Sequence, residues 1–193
     1  MNRVPNGYVK LERLSVIEYR KFLKYESAIY AAVDYIQEKL IDKDIIVKTD
    51  KKNLMLRLQG RNIPHLFGLY QEGKVTDLWQ SLKKHSLKFD KLYIKKDKST
   101  FLKIEAMQSI QELFEGECRL IGNGIYQKVN FERGLRTNKL ILMIGFDSDN
   151  QGIAYPKTAL NIKRIKVEKG EKVKTIYTVD RSTKKTCVLK ALL

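Results

Sequence analysis

Histidine and cysteine each occur only twice in this 193-residue chain, tryptophan once and proline three times. Each scarcity excludes something. Cys118 and Cys187 lie outside any CxxC or Cys/His cluster, which argues against structural zinc and a disulfide framework. They read as reduced thiols of a cytoplasmic compartment. His65 and His85 are too far apart in sequence to suggest a metal-binding pair. Long apolar runs are missing. Runs such as residues 140–144 fall far short of a bilayer, so no membrane partner is expected. The first fifteen residues lack the apolar stretch of a signal peptide. Acidic residues are outnumbered, 22 against 38 Lys and Arg, and they are scattered. A metal-dependent nuclease needs two or three carboxylates converging on its ion, and no such arrangement falls on one strand. Asp147, Asp149 and Gly152 resemble the start of a calcium loop, but Thr158 stands where a bidentate Glu is required. Neither GxxxxGK[ST] nor GxGxxG occurs. No metal and no cofactor is therefore expected.

What is present is positive charge, and it is clustered. The net charge is +16 at pH 7. Residues 157–193 carry eleven Lys and Arg against three acids, and residues 83–103 carry eight against two. The stretch between them is slightly acidic, five against seven. Clustering of this kind points to a surface that meets a polyanion. Nucleic acid is the expected partner, RNA before DNA. A pair of merely solvated lysine-rich faces is the bland alternative. Lys163, Arg164 and Lys166 in the C-terminal cluster are candidate phosphate contacts, as are Lys128 and Lys157.

The order of elements predicts an α+β fold, with N-terminal helices packed on a mainly antiparallel sheet. Residues 1–14 hold Pro5 and Gly7 and read as a flexible arm, and residues 15–193 as one domain. Residues 15–40 read as one long helix with a Ser15–Glu18 capping box. Residues 45–48 and 54–58 read as strands, with Arg57 turned away from the apolar face. Thr76 and Ser99 can cap two further helices, and residues 91–95 suggest a short strand between them. Strands over 117–121 and 125–131 flank the Gly122-Asn123-Gly124 turn. Residues 139–146 are apolar on both faces, which suits a central strand. Residues 153–155, 173–179 and 186–189 complete the sheet. Tyr126 and Tyr177 can each stack on an unpaired base or simply cover the sheet.

His65 is the one candidate for proton chemistry. It lies in a loop, Arg61-Asn62-Ile63-Pro64-His65, running into Leu66-Phe67-Gly68-Leu69. Histidine titrates near neutrality and can take or give a proton at a ribose 2′-OH or a leaving oxygen. Arg61 and Arg57 are placed to neutralise charge on a phosphate. A satisfied structural histidine fits the same pattern, and the residues alone leave both readings open. His85, among lysines, reads as surface.

His65-Leu66-Phe67-Gly68-Leu69, the strand before it, the two helices after it and Tyr155-Pro156-Lys157-Thr158 resemble the phage-associated nucleases of the barnase–EndoU–colicin–RelE superfamily. The resemblance is to the subgroup marked by a histidine-leucine-x-glycine-leucine motif and covers roughly residues 25 to 180. It implies a small antiparallel sheet against N-terminal helices and metal-independent RNA cleavage of the toxin or phage-conflict type. An antitoxin or immunity protein would then be a partner. It also implies His65 as the acid/base and Thr158 as a hydroxyl for a phosphate oxygen. A non-catalytic RNA- or DNA-binding accessory protein and a metal-dependent DNA nuclease are the alternatives.

Overall fold

The computed structural model describes residues 4–126 and 129–191. The chain opens with strand β1 (Tyr8–Lys10) and a short 3-10 turn, Leu11–Arg13. The capping box forms: the Ser15 hydroxyl accepts the Glu18 amide and Glu18 reaches back to the Ser15 amide. Helix α1 (Val16–Lys24) then stops, and α2 (Glu26–Lys39) starts on the other side of Tyr25. The expected single helix is thus two. Unbroken, it would run about 39 Å, beyond the breadth of a small domain. The break lets Phe22 and Ile29 both reach the core, and the Tyr25 hydroxyl donates to Glu105.

Strands β2 (Lys43–Lys48) and β3 (Asn53–Leu56) form a hairpin with Leu54 and Leu56 buried and Met55 outward, as the alternation predicts. The segment expected to be a loop around His65 is a helical turn, α3 (Ile63–Phe67). Pro64 suits its first turn, where no intrahelical amide bond is lost, and Gly68 ends it in the left-handed conformation at φ 73°. Strand β4 (Leu69–Gln71), α4 (Val75–Lys83), β5 (Leu92–Lys95), α5 (Ser99–Met107) and α6 (Ile110–Glu115) follow. Thr76 and Ser99 do not cap: each lies within the first turn of its helix. Asp97 instead accepts the Ser99 amide.

The rest is sheet: β6 (Cys118–Ile121), β7 (Gly124–Tyr126), β8 (Val129–Phe131), β9 (Arg133–Thr137), β10 (Leu142–Ser148), β11 (Ile153–Asn161), β12 (Glu171–Lys172), β13 (Thr175–Asp180) and β14 (Thr186–Ala191). Nine strands form one sheet in the order β12-β6-β9-β10-β11-β3-β2-β13-β14. Its pairings are antiparallel except β11 with β3. The α+β expectation holds. The strand expected over 125–131 does not pair with β6. It folds on itself as the β7–β8 hairpin, and β9 takes the place beside β6.

Both faces of β10 are indeed covered. Leu142 and Ile144 join the main core with the helices. Met143 faces a second cluster with Ile121, Phe131, Leu160 and Ile162. The arm expected over residues 1–14 is, from Tyr8 onward, built in. β1 pairs with β5 in a three-stranded sheet, β1-β5-β4, and Leu11 is fully buried. Apolar contact at Tyr8 and Leu11 outweighs the ordering cost that Pro5 and Gly7 suggested. Among the described residues, no helix is long and apolar enough to cross a membrane.

Candidate active site

β3 pairs with β11 only at Ile153 and Ala154. Beyond that point the outer edge of β11 is open, and α3 and α5 pack alongside it. A bulge falls in the same place. Gly145 faces Thr158 and Phe146 faces Pro156, so Lys157 is the extra residue on β11. Bulges bend a strand and re-aim its side chains. The Tyr155-Pro156-Lys157-Thr158 segment therefore lies inside a strand, at its irregular point, rather than after one.

His65 stands where these three elements meet. The backbone of Lys157 lies by its ring and weakly favours the protonated form. The His65 pKa is lowered, first by the protein crowded around the ring, then by the cations of Lys103 and Lys95. His65 keeps an exposed edge and helps wall a cavity with Arg61, Tyr8, Tyr70 and Lys95. Exposed by area yet set in a concave wall, the ring is poorly hydrated on most sides, and the direction of its shift follows.

Thr158 is buried, and its hydroxyl accepts from Lys103 Nζ at 3.4 Å. Lys103 is the residue that sequence reasoning missed. Burial, with the charge of Lys95 beside it, brings its pKa down to about 8. Its membership of the basic 83–103 cluster was visible, but its direction was not. Contact between α3 and α5 depends on Gly68. A Cβ there would lie 2.9 Å from the Thr100 hydroxyl and 3.2 Å from Lys103 Cδ. Thr100 donates to the Gly68 carbonyl at 2.9 Å and accepts the Lys95 amide at 3.0 Å. One threonine thus ties α3, α5 and β5 together behind Lys95 and Lys103.

The other candidates are not gathered here. Arg57 is bound through Nε to Asp44 on the neighbouring strand. The Lys157 ammonium pairs with Asp147 at 2.6 Å and donates to Asn130 at 3.2 Å, so only its backbone meets His65. Tyr126 stacks on Phe131 at 5.6 Å between centroids, and its hydroxyl accepts the Glu168 amide. It covers the second cluster rather than offering an open face. Tyr177 lies on β13, three strands from β11, under Lys48. Lys163, Arg164 and Lys166 are exposed on the segment after β11. Lys128 lies outside the described residues. His85 is exposed, as expected, and there it stacks on Tyr30 at 4.4 Å and bonds Asp34 at 2.8 Å.

Among the described residues no three His, Cys, Asp or Glu side chains converge. The groups around His65 are cations and hydroxyls. Such a constellation can take a proton at one ring nitrogen while holding an anion beside it. The family described as phage-Barnase-EndoU-ColicinE5/D-RelE like nuclease 4 matches residues 28–191, from within α2 to the end of β14. Neither a curated protein nor a solved structure matches the chain.

Proposed function

The chain belongs to the phage-Barnase-EndoU-ColicinE5/D-RelE like nuclease 4 family, and from that premise we propose that it is an endoribonuclease that cleaves without a metal. The observation that carries the reading is His65, walling a cavity with Lys95 and with its pKa lowered first by burial and then by the Lys103 and Lys95 cations. A neutral imidazole is ready at pH 7 to take a proton from a ribose 2′-OH. Positive neighbours disfavour a bound divalent cation but suit a phosphate.

The step is a transesterification. The 2′ oxygen forms a bond to phosphorus and passes its proton to His65. The bond from phosphorus to the 5′ oxygen breaks. Lys103 donates the proton that oxygen needs, since an ammonium with a pKa of about 8 is a stronger acid than an ordinary lysine. Arg61 and Lys95 line the adjoining cavity and neutralise the crowded phosphate oxygens. Thr158 holds Lys103 in place and supplies a hydroxyl to the same region. The products are a 2′,3′-cyclic phosphate and a 5′-hydroxyl. DNA, without the 2′-OH, is spared. Lys163, Arg164 and Lys166 contribute phosphate contacts to binding. The reading includes a toxin or phage-conflict role, with an antitoxin or immunity protein that blocks this site.

The test is cleavage of single-stranded RNA in EDTA. Cleavage with cyclic phosphate ends is expected, and His65→Ala should lower it about 10²–10⁴-fold while RNA binding and thermal stability stay nearly unchanged. Strict dependence on Mg²⁺, or cleavage of DNA, would overturn metal-independent RNA chemistry. Binding without cleavage in the wild type would leave a nucleic-acid-binding protein.

A further inference from the structure

A second, smaller sheet stands beside the candidate site, and its first strand lies outside the family match, which begins at residue 28. The register of β1-β5-β4 sorts its side chains. Val9, Leu69, Leu92 and Ile94 share the face that packs on the main core. The opposite face carries Tyr8 across from Lys95, Lys10 across from Tyr93, and Tyr93 across from Tyr70. Each of these five residues is a tyrosine or a lysine.

The tyrosines form a row. The Tyr8 and Tyr70 rings are 5.6 Å apart between centroids and those of Tyr70 and Tyr93 5.8 Å, at interplanar angles of 52° and 70°. Neither pair is stacked face to face, and Tyr70 and Tyr93 keep part of their surface open. Lys95 Nζ lies 4.0 Å from the centre of the Tyr8 ring. The row runs on from the site. Tyr8, Tyr70 and Lys95 wall the cavity that His65 and Arg61 also line, and Tyr93 and Lys10 line the next hollow with Lys91, Glu72 and Asp90.

A sheet face built from aromatic rings and amines suits unpaired nucleotides. The rings take the faces of bases and the amines take phosphates. A duplex offers no such faces, because its bases are already stacked. At the far end Lys10 pairs with Glu12, and the Tyr93 hydroxyl donates to Glu72. Charge there is balanced, so stacking leads.

We propose that this outer face is a track for single-stranded RNA, on which nucleotides flanking the scissile phosphate stack against Tyr70 and Tyr93 while Lys95 holds a phosphate. β1 completes the track with Tyr8, so the N-terminal strand extends the family's nuclease core into a substrate-binding surface. The inference takes its substrate from the nuclease reading above, but its test reads binding rather than cleavage.

The test is fluorescence anisotropy of full-length His65→Ala protein with a short labelled single-stranded RNA. Added to that protein, Tyr70→Thr and Tyr93→Thr keep strand propensity and remove the ring. Each should weaken binding roughly ten-fold with the salt slope unchanged, and Tyr93→Phe should bind like the parent. Lys95→Gln should lower the slope by about 0.7. Binding of a duplex of the same sequence should not respond to the tyrosine changes. Photocrosslinking of 5-iodouridine RNA to the parent protein, mapped by mass spectrometry, should mark Tyr70 or Tyr93, and it holds even where a threonine variant folds poorly. Unchanged affinity in folded threonine variants overturns the track. So do equal losses on single strand and duplex, a loss in Tyr93→Phe as large as in Tyr93→Thr, or crosslinks confined to residues outside β1, β4 and β5. A wild type that binds in this way but leaves RNA intact sinks the nuclease reading and not the track. Cleavage with crosslinks elsewhere does the reverse.

Discussion

Lys103 is a half-buried cation that donates to a hydroxyl, that of Thr158. Its pKa of about 8 in the folded chain lies below the roughly 10.4 of an exposed lysine. The folded state therefore binds fewer protons than the unfolded state between those values, and stability from this residue rises with pH across that window. Below about pH 8 its charge costs stability. Lys103→Met should accordingly raise Tm at pH 7, by roughly a few degrees, and abolish cleavage. A lysine kept for structure would lower Tm on removal, so a thermal melt at pH 7 separates the two roles. The rate should follow the same groups. kcat/KM should climb with pH below the ordinary histidine value of about 6.5 as His65 loses its proton, then fall near 8 as Lys103 does. Lys103→Arg should remove the alkaline fall, because a guanidinium stays protonated. His85 is the contrasting case. His85→Ala removes the stack on Tyr30 and should cost about 1 kcal/mol of stability by denaturant unfolding, with cleavage unchanged.

At the scale of elements, the site depends on how closely α3 lies against α5. Gly68 sets that distance twice over, through its left-handed backbone and through the missing Cβ beside Thr100. Gly68→Ala should cost about 1–2 kcal/mol from the backbone alone. It should also push α3 outward and move His65 from Lys103, so kcat should fall more than RNA affinity does. Equal loss of both in steady-state kinetics and binding assays would place the damage elsewhere. The expected loop and the observed α3 differ by little in sequence signal, because a single turn bounded by Pro64 and Gly68 has too few residues to show a helical period. Periodicity also hid the break at Tyr25, because the apolar spacing continues across both helices.

Across the whole molecule, the two basic clusters have different work. The 83–103 cluster delivers Lys95 and Lys103 to His65. The 157–193 cluster places Lys163, Arg164 and Lys166 on an exposed segment whose far end is pinned. Arg136, itself buried, donates to the carbonyls of Glu168 and Lys169, and Arg119 donates to that of Gly170. A basic segment stiffened this way loses less entropy when it binds phosphates. Log affinity for single-stranded RNA should drop with log salt by about 0.7 per phosphate contacted. Charge reversal at Lys163, Arg164 and Lys166 together should lower that slope by about 2 and weaken all sequences alike. A flat salt dependence in a filter-binding series would mean that these residues are solvated charge only.

The amino-acid order by itself determined the α+β class, most strands and the clustered charge. These are local matters: alternation, composition and backbone preference act over a few residues. Packing decided the rest. It placed Lys103 and Thr158 beside His65, turned the Lys157 side chain away from it, used Tyr126 to cover a second core, and folded β1 over the cavity. Periodicity reports which face of an element is buried, but not which neighbour covers it. Side chains from α3, α5 and β11 converge only because β3 leaves the edge of β11 open, and that edge exists only once the sheet has formed.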